Sequence, residues 1–222
     1  MIELYDLAIG NNDLRPSPFC WRTKAVLTYK KISFSTVPVS FTEKHKIAFS
    51  SQDRVPVIKD DGTVVYDSWT IAKYLEDKQP EPKVFPGLGL KEACRFFNLY
   101  VDRTVHGALA PLVVNDIFAK VSPADRDYFR TSREARLGTT LEAIAAKKGE
   151  NRPKLQAVLA DLEATLAGQE YFFGVLTYAD FCLFGSFKWA TTVSDEPLFD
   201  SMPALRAWWK RIHDRLGMQE AK

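Results

Sequence analysis

A serine followed by a proline stands near the amino terminus, where the chain passes from a strand pattern to a helix pattern. Ser17 directly precedes Pro18, and the residues from Ile2 to Leu7 alternate as a strand does. A serine N-cap with proline in the first turn is a common helix start, since first-turn amides have no partner within the helix. Those amides and the positive end of the helix dipole favour an anion. The sequence therefore predicts an anion site with a hydroxyl group at this helix start.

The turn around Ser17 contains no glycine from Leu14 to Lys24, which excludes the glycine-rich loops that hold nucleotide phosphates. A small thiolate fits better. Lowering a thiol pKa from about 8.5 to about 6.5 takes roughly 2.7 kcal/mol. One charge-assisted hydrogen bond supplies about 1.5–3 kcal/mol, and a helix N-terminus adds about 0.3–1 kcal/mol. These two contributions suffice without a titrating base. The alternative is that Ser17 is a helix cap and nothing more.

The first part of the chain reads as a mixed α/β domain over residues 1–79. Asp61-Gly62 lies between two β-rich runs and predicts a hairpin. The other predicted elements are a helix over 18–30, a strand over 32–39, a loop with a short helix over 41–52, and a helix that starts at Asp67 or Ser68. The order is βαβ followed by ββα.

Residues 80–89 are rich in proline and glycine and read as a linker, and residues 90–222 contain no convincing strand pattern. We predict an all-α helical bundle there. Its predicted helices cover 90–120, 123–147, 154–166, 178–191 and 204–216. The sequence from Thr177 to Asp180 has the form of a capping box, with Leu176 and Phe181 placed as a hydrophobic staple, and its predicted role is structural.

Composition excludes several classes of protein. Lysine and arginine exceed aspartate and glutamate by only 30 − 28 = 2, so no nucleic-acid or membrane partner follows from charge. The chain has no signal-like start and no run long enough to span a bilayer, which predicts a cytoplasmic protein. Its three cysteines have neither a disulfide framework nor metal-ligand spacing, so no metal is expected. Ser17 and Cys20 form Ser-x-x-Cys and provide no dithiol couple, which disfavours oxidoreductase chemistry.

Three stretches together resemble the glutathione S-transferase family. They are SPFCWRTKAVLTYK from Ser17, RVPVI from Arg54 and YDSWTIAKYLED from Tyr66. The segment from Ser122 to Ile144 is similar to the serine-using branch that includes bacterial glutathione-dependent β-aryl etherases and related fungal transferases. The resemblance implies an N-terminal thioredoxin-like domain followed by an all-α helical bundle, with glutathione as co-substrate.

The resemblance implies roles for individual residues. Ser17 would be the catalytic residue that stabilises the glutathione thiolate. Val55 would pair with the cysteinyl part of glutathione through its backbone, ahead of a cis bond to Pro56. Ser68 and its neighbouring amides would receive the γ-glutamyl carboxylate, while Asp67 would face the ammonium group.

The glycyl carboxylate needs a cation, and Arg54 and Lys44 are the preferred candidates among several basic residues of that loop. His106 and His213 lie in no catalytic pattern and read as structural or surface residues. The second substrate would lie between the first turn and the helical bundle. Family geometry suggests a lining of Asn11, Asn12, Phe19, Tyr100 and Thr104.

We therefore expect a glutathione transferase whose thiolate attacks an apolar, aromatic electrophile, as in detoxification. Glutathione-dependent β-aryl ether cleavage remains an alternative, since the same thiolate would displace a phenolate. A glutathione- or ligand-binding protein with little turnover is a third possibility, because a motif does not report a rate. The resemblance also implies a homodimer.

Overall fold

Four strands form one mixed sheet in the order β2–β1–β3–β4 in the computed structural model, which describes residues 1–218. The strands are β1 (Ile2–Leu7), β2 (Phe34–Val39), β3 (Val57–Asp60) and β4 (Thr63–Tyr66). The first pair is parallel and the other two pairs are antiparallel. Helix α1 (Pro18–Tyr29) connects the parallel pair, and α2 (Ser68–Lys78) follows β4. This is the predicted thioredoxin-like order.

The hairpin between β3 and β4 turns at Asp61-Gly62, as predicted. Both residues have positive φ, 46° and 91°. Two consecutive positive φ values favour the turn whose twist matches that of the flanking strands. Gly62 adopts this conformation without the steric cost that a Cβ atom would add.

The register of the sheet brings four loops to one edge. Tyr5 of β1 lies opposite Val57, the first residue of β3, and Val57 lies opposite Tyr66, the last residue of β4. In the parallel pair, Leu7 lies beside Val39, so β1 and β2 end together. The segments that follow β1, β2 and β4 and the one that precedes β3 therefore meet at this edge.

The linker is fixed to the first domain by buried polar contacts. The Lys30 ammonium is fully buried and donates to the carbonyl oxygens of Gln79 at 2.8 Å and Pro82 at 2.9 Å. It also forms an ion pair with Glu76 at 2.6 Å. The Glu76 carboxylate accepts from the Val84 amide at 3.1 Å. The proline-rich stretch is thus an anchored connection rather than a loose tether.

The second domain is helical, as predicted, but three of the five predicted helices differ from the observed ones by more than two residues. Its helices are α3 (Leu90–Tyr100), α4 (His106–Lys120), α5 (Arg126–Leu137), α6 (Leu141–Ala146), α7 (Lys148–Leu166), α8 (Tyr178–Val193) and α9 (Pro203–Leu216). The predicted helix over 90–120 is interrupted by a π-helical segment, Val101–Val105. The predicted helix over 123–147 stops at Gly138, a left-handed C-cap, and Thr140 caps the next helix. Helix α7 begins at Lys148 rather than 154, with Pro153 inside it.

Helix α8 forms the centre of the helical domain and begins with the predicted capping box. The Asp180 carboxylate accepts from the Thr177 amide at 2.9 Å and the Thr177 hydroxyl at 3.2 Å. It also accepts from the Phe172 amide and the Trp208 indole, at 3.2 and 3.0 Å. Burial raises its pKa to about 6, even though these donors lower it. The box therefore joins three segments of the bundle, and its role is structural.

The two domains meet where α1 packs on α8. A Cβ atom on Gly185 would lie 2.4 Å from the Pro18 carbonyl oxygen and 2.8 Å from Cγ of Arg22. The Arg22 guanidinium is fully buried and donates to Asp102 at 2.7 Å, Asn98 at 3.3 Å and the Cys182 carbonyl at 3.3 Å. Close backbone approach and a buried ion pair thus hold the first turn of α1 against the helical domain.

Within residues 1–218, no helix is long and apolar enough to cross a bilayer. The same residues contain no group of three or more histidine, cysteine, aspartate or glutamate side chains arranged to hold a metal ion.

Replacing Gly185 with alanine tests the domain contact. The new methyl group cannot be accommodated unless backbone atoms move, so the free energy of unfolding should fall by about 1–3 kcal/mol. Gly149→Ala is the control, since a Cβ there meets nothing within 4 Å. That helical glycine should give an unchanged or higher stability, by up to about 1 kcal/mol. Chemical denaturation measures both, and equal effects at the two sites would contradict close packing at Gly185.

Candidate functional site

Ser17 lies at the N-cap of α1, on the shared edge of the sheet. Its extended backbone conformation, with φ −112° and ψ 115°, is the one an N-cap residue adopts. Its Oγ accepts from the Cys20 amide at 3.2 Å, and Pro18 occupies the first helical position. That bond uses an oxygen lone pair and leaves the hydroxyl proton available for donation. Ser17 is therefore both a helix cap and a potential donor to an anion at the helix N-terminus.

Buried charges lie directly behind this turn. Asp6 is fully buried at the end of β1 and forms ion pairs with Arg15, at 3.1 Å, and with Lys24. The Lys24 ammonium is itself nearly buried, 4.3 Å from the centre of the Trp21 ring. One carboxylate and two cations leave a net charge of +1 beneath the first turn of α1. At the neighbouring Cys20 thiol, however, the Asp6 charge raises the pKa more than the Lys24 charge lowers it, so this cluster does not by itself favour an anion there.

Cys20 is not available as a nucleophile. Its side chain is buried, and that burial, together with the Asp6 charge, raises the pKa of the thiol far above its usual value. Cys94 and Cys182 are buried and unpaired as well. Reactive cysteines need a lowered pKa and exposure. Any thiolate at this site must therefore come from a bound molecule.

The Val55–Pro56 bond is cis, as the resemblance implied. It immediately precedes β3, so it lies at the sheet edge that also carries Ser17. Val55 is half-buried and Pro56 is buried. The backbone of Val55 is thus placed beside the first turn of α1, where an extended peptide could add to the sheet.

Asp67 and Ser68 begin α2 at the same edge. Asp67 is exposed and caps the helix, its Oδ1 accepting from the Thr70 amide at 2.9 Å. Its φ of 67° is in the left-handed region. Ser68 is buried beside the phenol of Tyr178. Burial raises the pKa of that phenol, and the Ser68 hydroxyl lowers it in part. This helix start offers a carboxylate beside free amides, the pair of groups that an amino acid's two charges require.

The two candidate cations lie near one acidic residue. The Lys44 ammonium is 3.4 Å from Asp53 and 4.9 Å from the centre of the Tyr128 ring. Arg54 is 3.7 Å from the same carboxylate, with 90% of its side chain exposed. Asp53 therefore balances only one of these two positive charges.

The loop that carries Lys44 is tied to the helical domain by a buried carboxylate. Asp125 accepts from the Thr42 amide at 2.9 Å, the Thr42 hydroxyl at 2.7 Å and the Ser40 hydroxyl at 3.3 Å. Its second oxygen accepts from Ser122 at 2.9 Å. The sequence pattern did not indicate that Asp125 binds this loop, because Ser40 and Thr42 lie more than 80 residues away.

Aromatic side chains form a wall beside the first turn of α1. Phe19 is partly exposed and meets His106 edge to face, with ring centres 5.5 Å apart. His106 contacts Trp189 in the same way, at 5.6 Å. Its Nε2 lies 2.8 Å from Ser186, whose hydroxyl donates to the Cys182 carbonyl, so Nε2 carries the proton and donates. Burial, with the charges of Arg22 and Arg136, lowers the pKa of His106 well below its usual value.

His106 is therefore a neutral packing residue at neutral pH, as its structural interpretation predicted. Of the other residues suggested for this region, Asn11, Asn12 and Thr104 are exposed. Tyr100 is half-buried and packs on Phe97, with ring centres 5.9 Å apart.

Comparison with known families identifies both domains. The glutathione S-transferase C-terminal domain family matches residues 94–217, which is more than half of the chain. The glutathione S-transferase N-terminal domain family matches residues 13–83.

Curated relatives match over a limited length. A probable maleylacetoacetate isomerase 1 from Drosophila melanogaster is 31% identical over 87 residues, which are 35% of this chain and 35% of the relative. The glutathione S-transferase DHAR2 from Arabidopsis thaliana is 36% identical over 81 residues, 35% of this chain and 38% of the relative. The chain thus spans little more than a third of these relatives.

Solved structures match over nearly the whole chain. A glutathione transferase from Phanerochaete chrysosporium has a TM-score of 0.85 at 24% identity and covers 99% of this chain and 98% of its own. A glutathione S-transferase from Ceriporiopsis subvermispora, solved in complex with glutathione, has a TM-score of 0.82 at 22% identity, with coverages of 97% and 96%. A β-etherase from Sphingobium sp. strain SYK-6 has a TM-score of 0.70 at 24% identity, with coverages of 96% and 94%.

At these identities the structural likeness establishes the fold, and the two domain families establish the relationship. The α/β half of the chain matches one of these domain families, and the helical half matches the other. The chain therefore belongs to the glutathione S-transferase family.

Proposed function

We propose that this protein is a glutathione transferase in which Ser17 stabilises the thiolate of bound glutathione for attack on an aromatic electrophile. The observation that carries the proposal is the hydroxyl of Ser17 at the N-cap of α1. Its oxygen is occupied by the Cys20 amide and its proton is available. Membership of the family supplies glutathione as co-substrate.

Glutathione would lie along the common edge of the sheet. Its cysteinyl part pairs with the backbone of Val55, ahead of the cis bond to Pro56. Its γ-glutamyl end meets Asp67 and Ser68 at the start of α2, and its glycyl carboxylate meets Lys44 or Arg54. The support is the register of the sheet, which gathers these segments around Ser17.

The chemistry is a substitution at carbon. The thiol proton is lost to solvent, the sulfur forms a C–S bond with the electrophile, and the leaving group departs with its bonding electron pair. The electrophile packs on the aromatic wall of Phe19 and His106. No general base is required, because the Ser17 hydroxyl and the first turn of α1 favour the thiolate.

Turnover of two substrate classes separates the remaining alternatives. With an aryl halide the leaving group is a halide, and with a β-aryl ether it is a phenolate. Steady turnover of the halide alone supports general conjugation, and faster turnover of the ether supports etherase activity. Glutathione binding without turnover of either compound supports a ligand-binding protein.

Ser17→Ala should raise the pKa of the bound glutathione thiol by one to two units, which corresponds to about 1.4–2.7 kcal/mol. A raised thiol pKa leaves less thiolate near pH 7, so the rate should fall about ten- to a hundredfold there. The rate should recover partly at alkaline pH, where the thiolate forms unaided. The measurement is thiolate absorbance of the glutathione complex against pH.

Thr140→Ala is the matched control, because Thr140 caps α6 through the same kind of bond, to the Ala143 amide at 3.2 Å. It should cost a similar amount of stability, about 0.5–2 kcal/mol, and leave the titration unchanged. Superimposable titrations for wild type and Ser17→Ala would mean that Ser17 is only a cap.

Asp67→Asn tests the γ-glutamyl site. Asparagine caps a helix about as well as aspartate, so stability should be kept while the charge is lost. Affinity for glutathione should fall at least about tenfold, since a charge-assisted contact contributes about 1.5–3 kcal/mol. Asp61→Asn, an exposed site at the opposite edge of the sheet, is the control. Calorimetry that finds equal affinities in both variants would remove Asp67 from the site.

The protein should also be a cytoplasmic homodimer. Large aromatic side chains exposed in both domains, Phe49 at 47% and Phe96 at 73%, support the dimer. The three unpaired cysteines support the cytoplasmic location. Light scattering during gel filtration should give twice the chain mass of 25.2 kDa. A mass of one chain at micromolar concentration would contradict the dimer.

A further inference from the structure

The loop that follows β2 is docked on the start of α5 by aromatic contacts as well as hydrogen bonds. Phe41 packs on Phe129, with ring centres 5.2 Å apart, and on Tyr128, at 6.4 Å. The Arg133 guanidinium lies 4.9 Å from the centre of the Phe41 ring. These contacts add to the hydrogen bonds that Asp125 accepts from the same loop. The helical domain therefore holds the loop through both apolar and polar groups.

The Asp125 carboxylate is satisfied mainly by this loop. It is 1% exposed, and among the described residues it accepts hydrogen bonds from Ser40, Thr42 and Ser122. Oδ1 takes all the bonds from the loop, and Oδ2 takes the bond from Ser122. A buried carboxylate that lost its donors would be left with an uncompensated charge. The backbone of the loop is therefore fixed at a point two residues before Lys44.

Lys44 is held by the helical domain at its side chain as well. Its ammonium lies 4.9 Å from the centre of the Tyr128 ring on α5 and 3.4 Å from the Asp53 carboxylate. The side chain is 38% exposed. A lysine ammonium has three donors, so a ligand can still accept a hydrogen bond from it. Lys44 is thus an accessible cation that is positioned before any ligand binds.

Arg54, the other candidate for the glycyl carboxylate, is held less firmly. Its side chain is 90% exposed and contacts the neighbouring Asp53 at 3.7 Å. A side chain that is already ordered loses less conformational entropy on binding than one that moves freely in solvent. Preorganisation therefore favours Lys44 over Arg54 as the binding cation.

The position of Lys44 also suits the glycyl end of glutathione. Its ammonium contacts Asp53, two residues before Val55, and the backbone of Val55 pairs with the cysteinyl residue in the proposed function. Successive residues of an extended peptide are about 3.3 Å apart. In an antiparallel pairing, the glycyl residue runs alongside the residues that precede Val55. The glycyl carboxylate then lies on the side of Val55 where Lys44 stands.

We propose that Lys44 is the cation that binds the glycyl carboxylate, and that Asp125 and Tyr128 of the helical domain are positioning residues for it. The inference rests on the proposed function and adds which cation binds and what holds that cation in place. It makes the glycyl end of the glutathione site depend on both domains.

The test compares glutathione with glutathione amide, in which the glycyl carboxylate is a carboxamide. The two peptides share all other groups, so the ratio of their dissociation constants reports the glycyl contact alone. Calorimetry on the wild type should show glutathione binding at least about tenfold more tightly, the contribution of one charge-assisted hydrogen bond. Lys44→Gln should bring the two affinities within about twofold of each other, and Arg54→Gln should keep the wild-type ratio.

Asp125→Asn and Tyr128→Leu test the positioning. Each should lower the ratio at least about threefold by weakening glutathione, while the affinity for the amide stays within about twofold. A purely structural role would lower the free energy of unfolding without changing the ratio. Ser122→Ala is the matched control, since it removes the one hydrogen bond that Asp125 accepts from outside the loop, and it should keep the ratio.

A milder pair of variants keeps the inference testable if Asp125→Asn does not fold. Thr42 is exposed, and Thr42→Val removes its hydroxyl bond to Asp125 while leaving the amide bond in place. It should lower the ratio about threefold. Thr42→Ser keeps the hydroxyl and should retain the wild-type ratio.

The outcomes separate this inference from the proposed function. Equal wild-type affinities for the two peptides would overturn the inference and leave the thiolate and γ-glutamyl sites standing. Collapse of the ratio in Arg54→Gln rather than Lys44→Gln would overturn it too, as would a wild-type ratio in both Tyr128→Leu and Thr42→Val. Glutathione binding without turnover of any electrophile counts against the proposed function alone. Absence of glutathione binding to the wild type would overturn both.

Discussion

The buried guanidinium of Arg22 is the contact on which the two-domain arrangement depends. A fully buried charge is tolerated only when it is paired and its donors are satisfied. The partners of Arg22 on Asp102, Asn98 and Cys182 all belong to the helical domain, whereas Arg22 belongs to the thioredoxin-like domain. Separating the domains would leave the ion pair unmade, so the helix that begins beside Ser17 is held in one place by the other half of the chain.

Helix α1 is fixed at both ends by different kinds of contact. At its start, the missing side chain of Gly185 lets α8 approach the Pro18 carbonyl, and at its end Lys30 is bound by the linker. A thiolate site needs this rigidity, because a hydrogen bond to sulfur depends on distance and direction. The contact at Gly185 also lies next to the aromatic wall, since His106 bonds to Ser186, the neighbour of Gly185 on α8.

The sequence predicted those parts of the fold and site that are encoded locally. Three of these features each lie within four residues: the cap at Ser17, the hairpin at Asp61-Gly62 and the box that ends at Asp180. Their side chains and backbone groups are therefore close together without any long-range packing. The contacts of Asp125 with the first domain could not be found in this way. Its carboxylate accepts from Ser40 and Thr42, more than 80 residues earlier, and a single sequence does not report such pairings.

The hydroxyl and the helix N-terminus are not the only groups that would act on a thiolate beside Ser17. A hydroxyl and a helix dipole were the only contributions visible in the sequence, yet Asp6 is buried close enough to raise the pKa of Cys20. Alone, that carboxylate would oppose a thiolate in the same place. Arg15 and Lys24 pair with it and offset part of its charge, yet at Cys20 the effect of Asp6 remains larger than that of Lys24. Under the proposed function, the Ser17 hydroxyl and the helix N-terminus therefore stabilise the thiolate against this carboxylate, which makes the hydroxyl proton of Ser17 the more important.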